Sequence, residues 1–406
     1  MEKVIAACAQ PRMTIPESSD QFEAEARRFL RQSQAKAAQL VIFPEFTGVM
    51  LAAPLISQLK LGFIKRADQG KHPRAGILGR GMGLVSGATA GALGGGLPGS
   101  LKRLLGKKSD DLRDLYFETF GKLAREFGAV IVGGSLYLYD AESDTIRNRA
   151  YVFDTDGEVL GYQDKLNLAF DEKDLAAPGS DLSVIETRLG RLGLLIGRDT
   201  LYPELARLLA ILGADLLVGL VASPGAAQAA VVRSAMAVRT DENQVFAAVS
   251  FLLGPNFLDR TNPEDYFGRS ALLAPISLTE KGDGILIEAG TNRTETLIAA
   301  ELNMDALYTL RETGRFQPRQ EINLGNLGPV LAEMYQEGLT IEQAQEKRLA
   351  GKVPPAPESM ELEPPLPAEP ISAEVPEEAP EPAAEPAYES VPEAMSLTRS
   401  SEAENE

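Results

Sequence analysis

Short apolar runs alternating with longer amphipathic stretches constrain the fold of this chain more than any other feature. Val4 to Ala7, Leu40-Val41-Ile42-Phe43, Ala129 to Leu138, Ala150 to Phe153, Leu192 to Ile196, Leu216 to Val221, Val245 to Phe251, Ser270 to Ala274 and Leu297 to Leu302 read as strands. Phe22, Ala26, Phe29 and Leu30 fall on one helical face, and Asp20 with Glu23 has capping-box spacing at its start. Helices follow from about Asp110 to Phe127, Glu204 to Leu212 and Ala226 to Arg239, and Asp156-Gly157 predicts a turn into Val159-Leu160-Gly161-Tyr162. Strands separated by amphipathic helices predict one α/β layered domain over residues 1–325.

Two regions break that rhythm. Residues 66–108 are a Gly-rich insertion with basic flanks, in which Gly83, Gly87, Gly91 and Gly95 recur every fourth position and Lys102 and Arg103 follow. Small residues at that spacing allow close helix approach, and cations beside them suit an anionic membrane surface or a partner contact. Glycine's low helix propensity supports the other reading, a lid-like loop. Residues 326–350 read as a C-terminal helix. Residues 351–406 are a Pro/Glu-rich tail with too little apolar surface to fold, so disorder is expected there.

Composition removes several function classes. The chain has 406 residues with one cysteine (Cys8), one histidine (His72) and a formal charge of −18. From residue 353 onward there are fourteen glutamates against one basic residue, Arg399, so most of the negative charge belongs to the tail. The mildly acidic body argues against nucleic-acid binding. One cysteine excludes a disulfide framework and leaves too few soft ligands for a metal centre, so no metal and no cofactor is expected. The opening residues carry no charged-then-apolar leader pattern, which predicts a cytoplasmic protein, peripheral at most to the inner membrane face.

Three motifs carry the chemistry. The apolar strand Leu40-Val41-Ile42-Phe43 ends in Pro44-Glu45, and a hairpin from Gly157 leads to Lys165-Leu166-Asn167-Leu168, with Glu172 shortly after. The strand ending at Ile196 runs into Gly197-Arg198-Asp199-Thr200-Leu201-Tyr202-Pro203-Glu204. In that order the motifs resemble the nitrilase, or carbon–nitrogen hydrolase, superfamily, which hydrolyses non-peptide C–N bonds with a Glu–Lys–Cys triad. The resemblance implies a four-layer αββα sandwich, a homo-oligomer, Glu45 as general base and Lys165 as the oxyanion-side cation, with Glu172 as a second glutamate. It aligns Asp199 and Pro203-Glu204 without a gap, which puts Gly197 where the nucleophilic cysteine belongs. Asn167 stands where many members have histidine.

A covalent mechanism without its nucleophile loses most of its rate. The resemblance therefore implies a catalytically degenerate member, a scaffold or a module binding a small polar ligand, with membrane attachment through the insertion as a further possibility of the sequence. The alternative is an active amide hydrolase in which Glu45 activates water.

Overall fold

The computed structural model describes residues 3–56, 96–169, 172–258, 264–321, 324–338 and 341–350. His72, the row Gly83, Gly87, Gly91 and Gly95, and the tail 351–406 lie outside them. Residues up to Leu324 form one compact unit and Gly325 onward a second.

The predicted strands all occur in the first unit. β1 (Lys3–Gln10), β2 (Leu40–Ile42), β3 (Val130–Asp140), β4 (Thr145–Phe153) and β5 (Val159–Asp164) share one sheet. Its six-stranded order is β14-β1-β2-β3-β4-β5, with β14 (Thr296–Asn303) returning beside β1. The other sheet holds β6 (Val184–Thr187), β7 (Gly190–Ile196), β8 (Leu216–Val221), β10 (Phe246–Phe251), β12 (Ala271–Leu273) and β13 (Ile285–Glu288), in the order β13-β12-β10-β8-β7-β6. β9 (Ser223–Pro224) and β11 (Tyr266–Phe267) form a small separate pair. The centre of each sheet is parallel: β1 with β2, β2 with β3, β7 with β8 and β8 with β10.

Side-chain alternation turns these sheets into layers. Along β1, Val4, Ala6 and Cys8 join Leu40, Ile42, Leu194, Ile196, Val218 and Leu220 in a core between the two sheets. Ala7 and Ala9 point the other way, into a core with Phe22, Phe29, Tyr116 and Phe120 from helices Ser19–Ala35 and Gly96–Phe127. Leu195 and Leu217 likewise turn from the first core to meet Leu209, Val232 and Met236 of helices Pro203–Ile211 and Ala226–Asn243. Residues two apart in a strand share a face, so apolar residues at every position require cover on both sides. The result is the αββα sandwich.

Local details depart from the sequence reading in four places. The first helix is capped by Ser18, whose hydroxyl accepts from the Gln21 amide at 3.2 Å, and not by Asp20. Glu23 is drawn away from a capping role by Arg27 and Lys122, both at 2.8 Å. The helix expected from Asp110 begins at Gly96, inside the span assigned to the insertion, and kinks at Lys108. Leu105 explains the extension, because it is 2 % exposed within the apolar core. In the second unit, the single helix expected over 326–350 is two helices, Leu324–Glu337 and Ile341–Ala350. Gly338 ends the former with a left-handed φ of 65° and an amide bond to Met334.

Asp215 locks the closing helix Met304–Thr313 to the second sheet. It accepts from Arg311 at 2.7 Å and from Arg191 at 3.3 Å, while Arg311 also donates to the Gln244 carbonyl at 2.8 Å. Burial pushes the Asp215 carboxyl up, but the bonds from Arg311 and Arg191 outweigh it and the net direction is down. Replacing Arg311 by Met should cost about 3 kcal/mol in urea unfolding, because it strands a buried carboxylate. The difference should narrow in acid. A depressed carboxyl contributes stability above its unfolded value of about 3.9 and loses it as pH falls further.

Candidate functional site

Four chain segments leave the ends of β2, β5, β7 and β8 and converge on one buried cluster. β2 stops because Pro44 has no amide to continue the ladder. Glu45 then sits in a tight turn, followed by Phe46 at φ 63°, whose amide donates to the Ser135 hydroxyl at 3.1 Å. That turn can lie against β3 only because β3 bulges at Gly133-Gly134. A Cβ on Gly134 would come within 2.2 Å of the Pro44 carbonyl oxygen, and its φ is 73°.

Lys165 follows β5, its amide bonded to the Asn148 carbonyl at 2.8 Å. Its side chain is 3 % exposed, and its ammonium donates to Glu45 at 2.8 Å and to Glu172 at 2.5 Å. Asn148 donates to both carboxylates, at 3.2 Å to Glu45 and 3.1 Å to Glu172. The second oxygen of Glu45 accepts from the Ala222 amide at 3.1 Å, just past β8. Glu172 is further held by the Tyr137 hydroxyl at 3.0 Å and the Ala169 amide at 2.8 Å. The structure thus brings together Glu45, Lys165, Glu172 and Gly197, the residues singled out from the sequence.

Gly197 opens the turn after β7 with φ 55°, and it faces the cluster directly. A Cβ built there would lie 2.7 Å from one oxygen of Glu45, 2.8 Å from the other and 2.8 Å from the Lys165 ammonium. The polar ends of the pair occupy the room that a side chain would need. The neighbouring hydroxyl is no substitute, since Thr200 donates to the Gly197 carbonyl at 2.7 Å. Cys8 is fully buried between the sheets, where burial pushes its thiol far up, so it is an inert core residue.

Asp199 ties the Gly197 turn to the lysine loop. It accepts from the Leu166 amide at 3.0 Å, the Asn167 amide at 2.8 Å and the Asn167 side chain at 2.9 Å. Asn167, a departure from the expected histidine, therefore fastens the two motifs together.

Two carboxylates share one ammonium, and the cluster's proton balance follows. Burial is the largest influence on Glu45 and raises it; Lys165 pulls it down and Glu172 pushes it up again, leaving it at about 7. Burial alone would lower Lys165, but the two carboxylates reverse that and hold it firmly charged. For Glu172 burial is overcome by Lys165 and the hydrogen bonds, and the net direction is down. The arrangement can hold or move a proton near neutrality beside a fixed cation. Beside the cluster is a cavity of about 190 Å³, whose lining includes exposed Arg198 together with Ala222, Ser223 and Tyr266.

Sequence reasoning missed Asn148, Tyr137 and Ser223. Asn148 left a signal: Asn148, Ala150 and Val152 occupy alternate positions of β4, and an amide in line with an apolar inward row needs buried partners. The membrane or partner contacts fare differently. Lys102 and Arg103 lie in helix Gly96–Phe127, and the four glycines lie outside the described residues. Among the described residues no helix is long and apolar enough to cross a membrane, and no acidic, cysteine or histidine group could hold a metal ion.

Comparison with known proteins places this geometry among relatives. The carbon-nitrogen hydrolase family profile matches residues 5–312. A probable hydrolase, YhcX, from Bacillus subtilis is 28 % identical over 201 residues, covering 49 % of this chain and 38 % of the relative. The match thus spans well under half the length of that relative. Omega-amidase NIT2 from Xenopus tropicalis is 28 % identical over 209 residues, 48 % of this chain and 69 % of its own. Among solved structures, the carbon-nitrogen hydrolase from Helicobacter pylori G27 superposes with a TM-score of 0.59 at 18 % identity, covering 81 % of this chain and 98 % of that one.

Two outcomes test the site. Gly197→Cys should fold with a loss of about 1–3 kcal/mol, because a side chain must take a left-handed φ and displace the Glu45–Lys165 pair. Its thiol, beside an ammonium, should alkylate rapidly at neutral pH, whereas the wild type should stay unlabelled until unfolded; equal labelling of both would contradict the geometry. The second outcome concerns pH. A carboxyl raised above its unfolded value of about 4.3 binds its proton more tightly when folded, so stability is fully present below that value and declines as pH rises towards about 7. Urea midpoints should therefore fall over this window in wild type and fall less in Glu45→Gln.

Proposed function

The chain belongs to the carbon–nitrogen hydrolase family, and from that premise we propose that it binds a small polar molecule in the cavity beside Glu45 and Lys165 without the covalent step of a thiol enzyme. The observation that carries this reading is the Gly197 position. Its Cβ direction points into the Glu45–Lys165 pair at 2.7–2.8 Å, and there is no atom on it to attack a carbonyl. Covalent catalysis needs an activated nucleophile between base and oxyanion cation, and without one the residual rate rests on binding and electrostatics alone. The fold around the vacancy is kept nevertheless. Glu45, Glu172 and Lys165 are each at most 5 % exposed and all bonded, which favours a formed pocket over a decayed one.

One observation favours a second reading, hydrolysis by water. A base at about 7 is suited to take a proton from water that adds to an amide carbonyl, with Lys165 near the oxygen that becomes negative. Water and the amide then yield a carboxylic acid and ammonia. Assembly into a homo-oligomer belongs to the same proposal. It is supported by exposed apolar side chains on neighbouring helices, Leu208 and Ile211 on one and Val231 and Val238 on the other.

Saturation-transfer NMR with simple amides, run beside an ammonia-release assay, separates the readings. Binding without ammonia release supports the ligand-binding role. Ammonia release that disappears in Glu45→Gln establishes the hydrolase instead, and absence of any binding sinks both.

A further inference from the structure

The cavity is electrically lopsided. Its inner wall holds two carboxylates, Glu45 and Glu172, for one ammonium, Lys165, and that ammonium is already committed to both. At the mouth stands Arg198, a cation with no ion pair or hydrogen bond among the described residues. Ser223 also lines the cavity at 3 % exposure, and its hydroxyl is without a hydrogen-bond partner among the described residues. A buried hydroxyl left unpaired costs about 1–3 kcal/mol, and such groups in a cavity wall are met by what enters it.

Resting on the ligand-binding reading above, we infer that the ligand is a small anion held by Arg198 at the mouth, with an uncharged hydrogen-bonding end directed inward past Ser223. The inner carboxylates repel a negative group and accept from an N–H or O–H donor, so the charge gradient permits one orientation only. A guanidinium takes a carboxylate or similar planar anion through paired N–H donors. The Ser223 hydroxyl both donates and accepts, so it can serve an amide or an alcohol. A cavity of about 190 Å³ suits a small molecule.

Three probes of one chain length test the inference in the full-length protein by saturation-transfer NMR titration: δ-hydroxyvalerate, valerate and pentanediol. The hydroxy acid should bind more tightly than the diol by about tenfold, the usual worth of a charge-assisted hydrogen bond. Arg198→Gln should erase that preference, and Ser223→Ala should weaken the hydroxy acid severalfold. Equal binding of hydroxy acid and diol, or a preference that survives Arg198→Gln, overturns the anion inference and leaves pocket binding standing. If none of the three binds, the ligand-binding reading falls and takes this inference with it. Circular dichroism of both variants guards against loss of fold, to which exposed Arg198 contributes no packing.

Discussion

One ammonium shared by two buried carboxylates organises this structure. Lys165 joins Glu45 and Glu172, and Asn148 bridges the same two acids from the opposite side. Charges so deeply buried are tolerable only when every oxygen and proton is matched, since desolvating each ion costs several kcal/mol. The Ala222 and Ala169 amides and the Tyr137 hydroxyl also donate to the carboxylate oxygens. Because these groups come from segments far apart in the chain, the ends of both sheets are held in register by a polar cluster that an apolar core could not orient.

The fold was largely legible from the sequence because strand burial on both faces leaves uninterrupted apolar runs. Leu192 to Ile196 and Leu216 to Val221 could be read as strands without knowing their neighbours. Their layer assignment could not, since Leu194 and Leu195 look alike in sequence yet feed different cores. Ends of helices were harder. Ser18 and Asp20 are both competent caps, and the choice depends on Arg27 and Lys122, which compete for Glu23.

The site was legible in part. Glu45, Lys165 and Gly197, which the structure brings together, followed from motif register, and Glu172 from its place after the lysine. Ser223 and Tyr137 gave no warning, because a serine before a proline and a tyrosine in a strand are ordinary until tertiary structure buries them. The Gly-rich insertion remains where the sequence left it. Its glycine row lies outside the described residues, while the basic stretch after it continues as helix towards Leu105.

Burial of Cys8 between the sheets has a consequence of another kind. An enzyme built on an exposed thiolate is vulnerable to peroxide and to metals, and works only while that sulfur stays reduced. Here the one sulfhydryl is sealed in the core, and the described lining of the pocket carries no sulfur. Peroxide entering that pocket therefore finds no thiol to oxidise there.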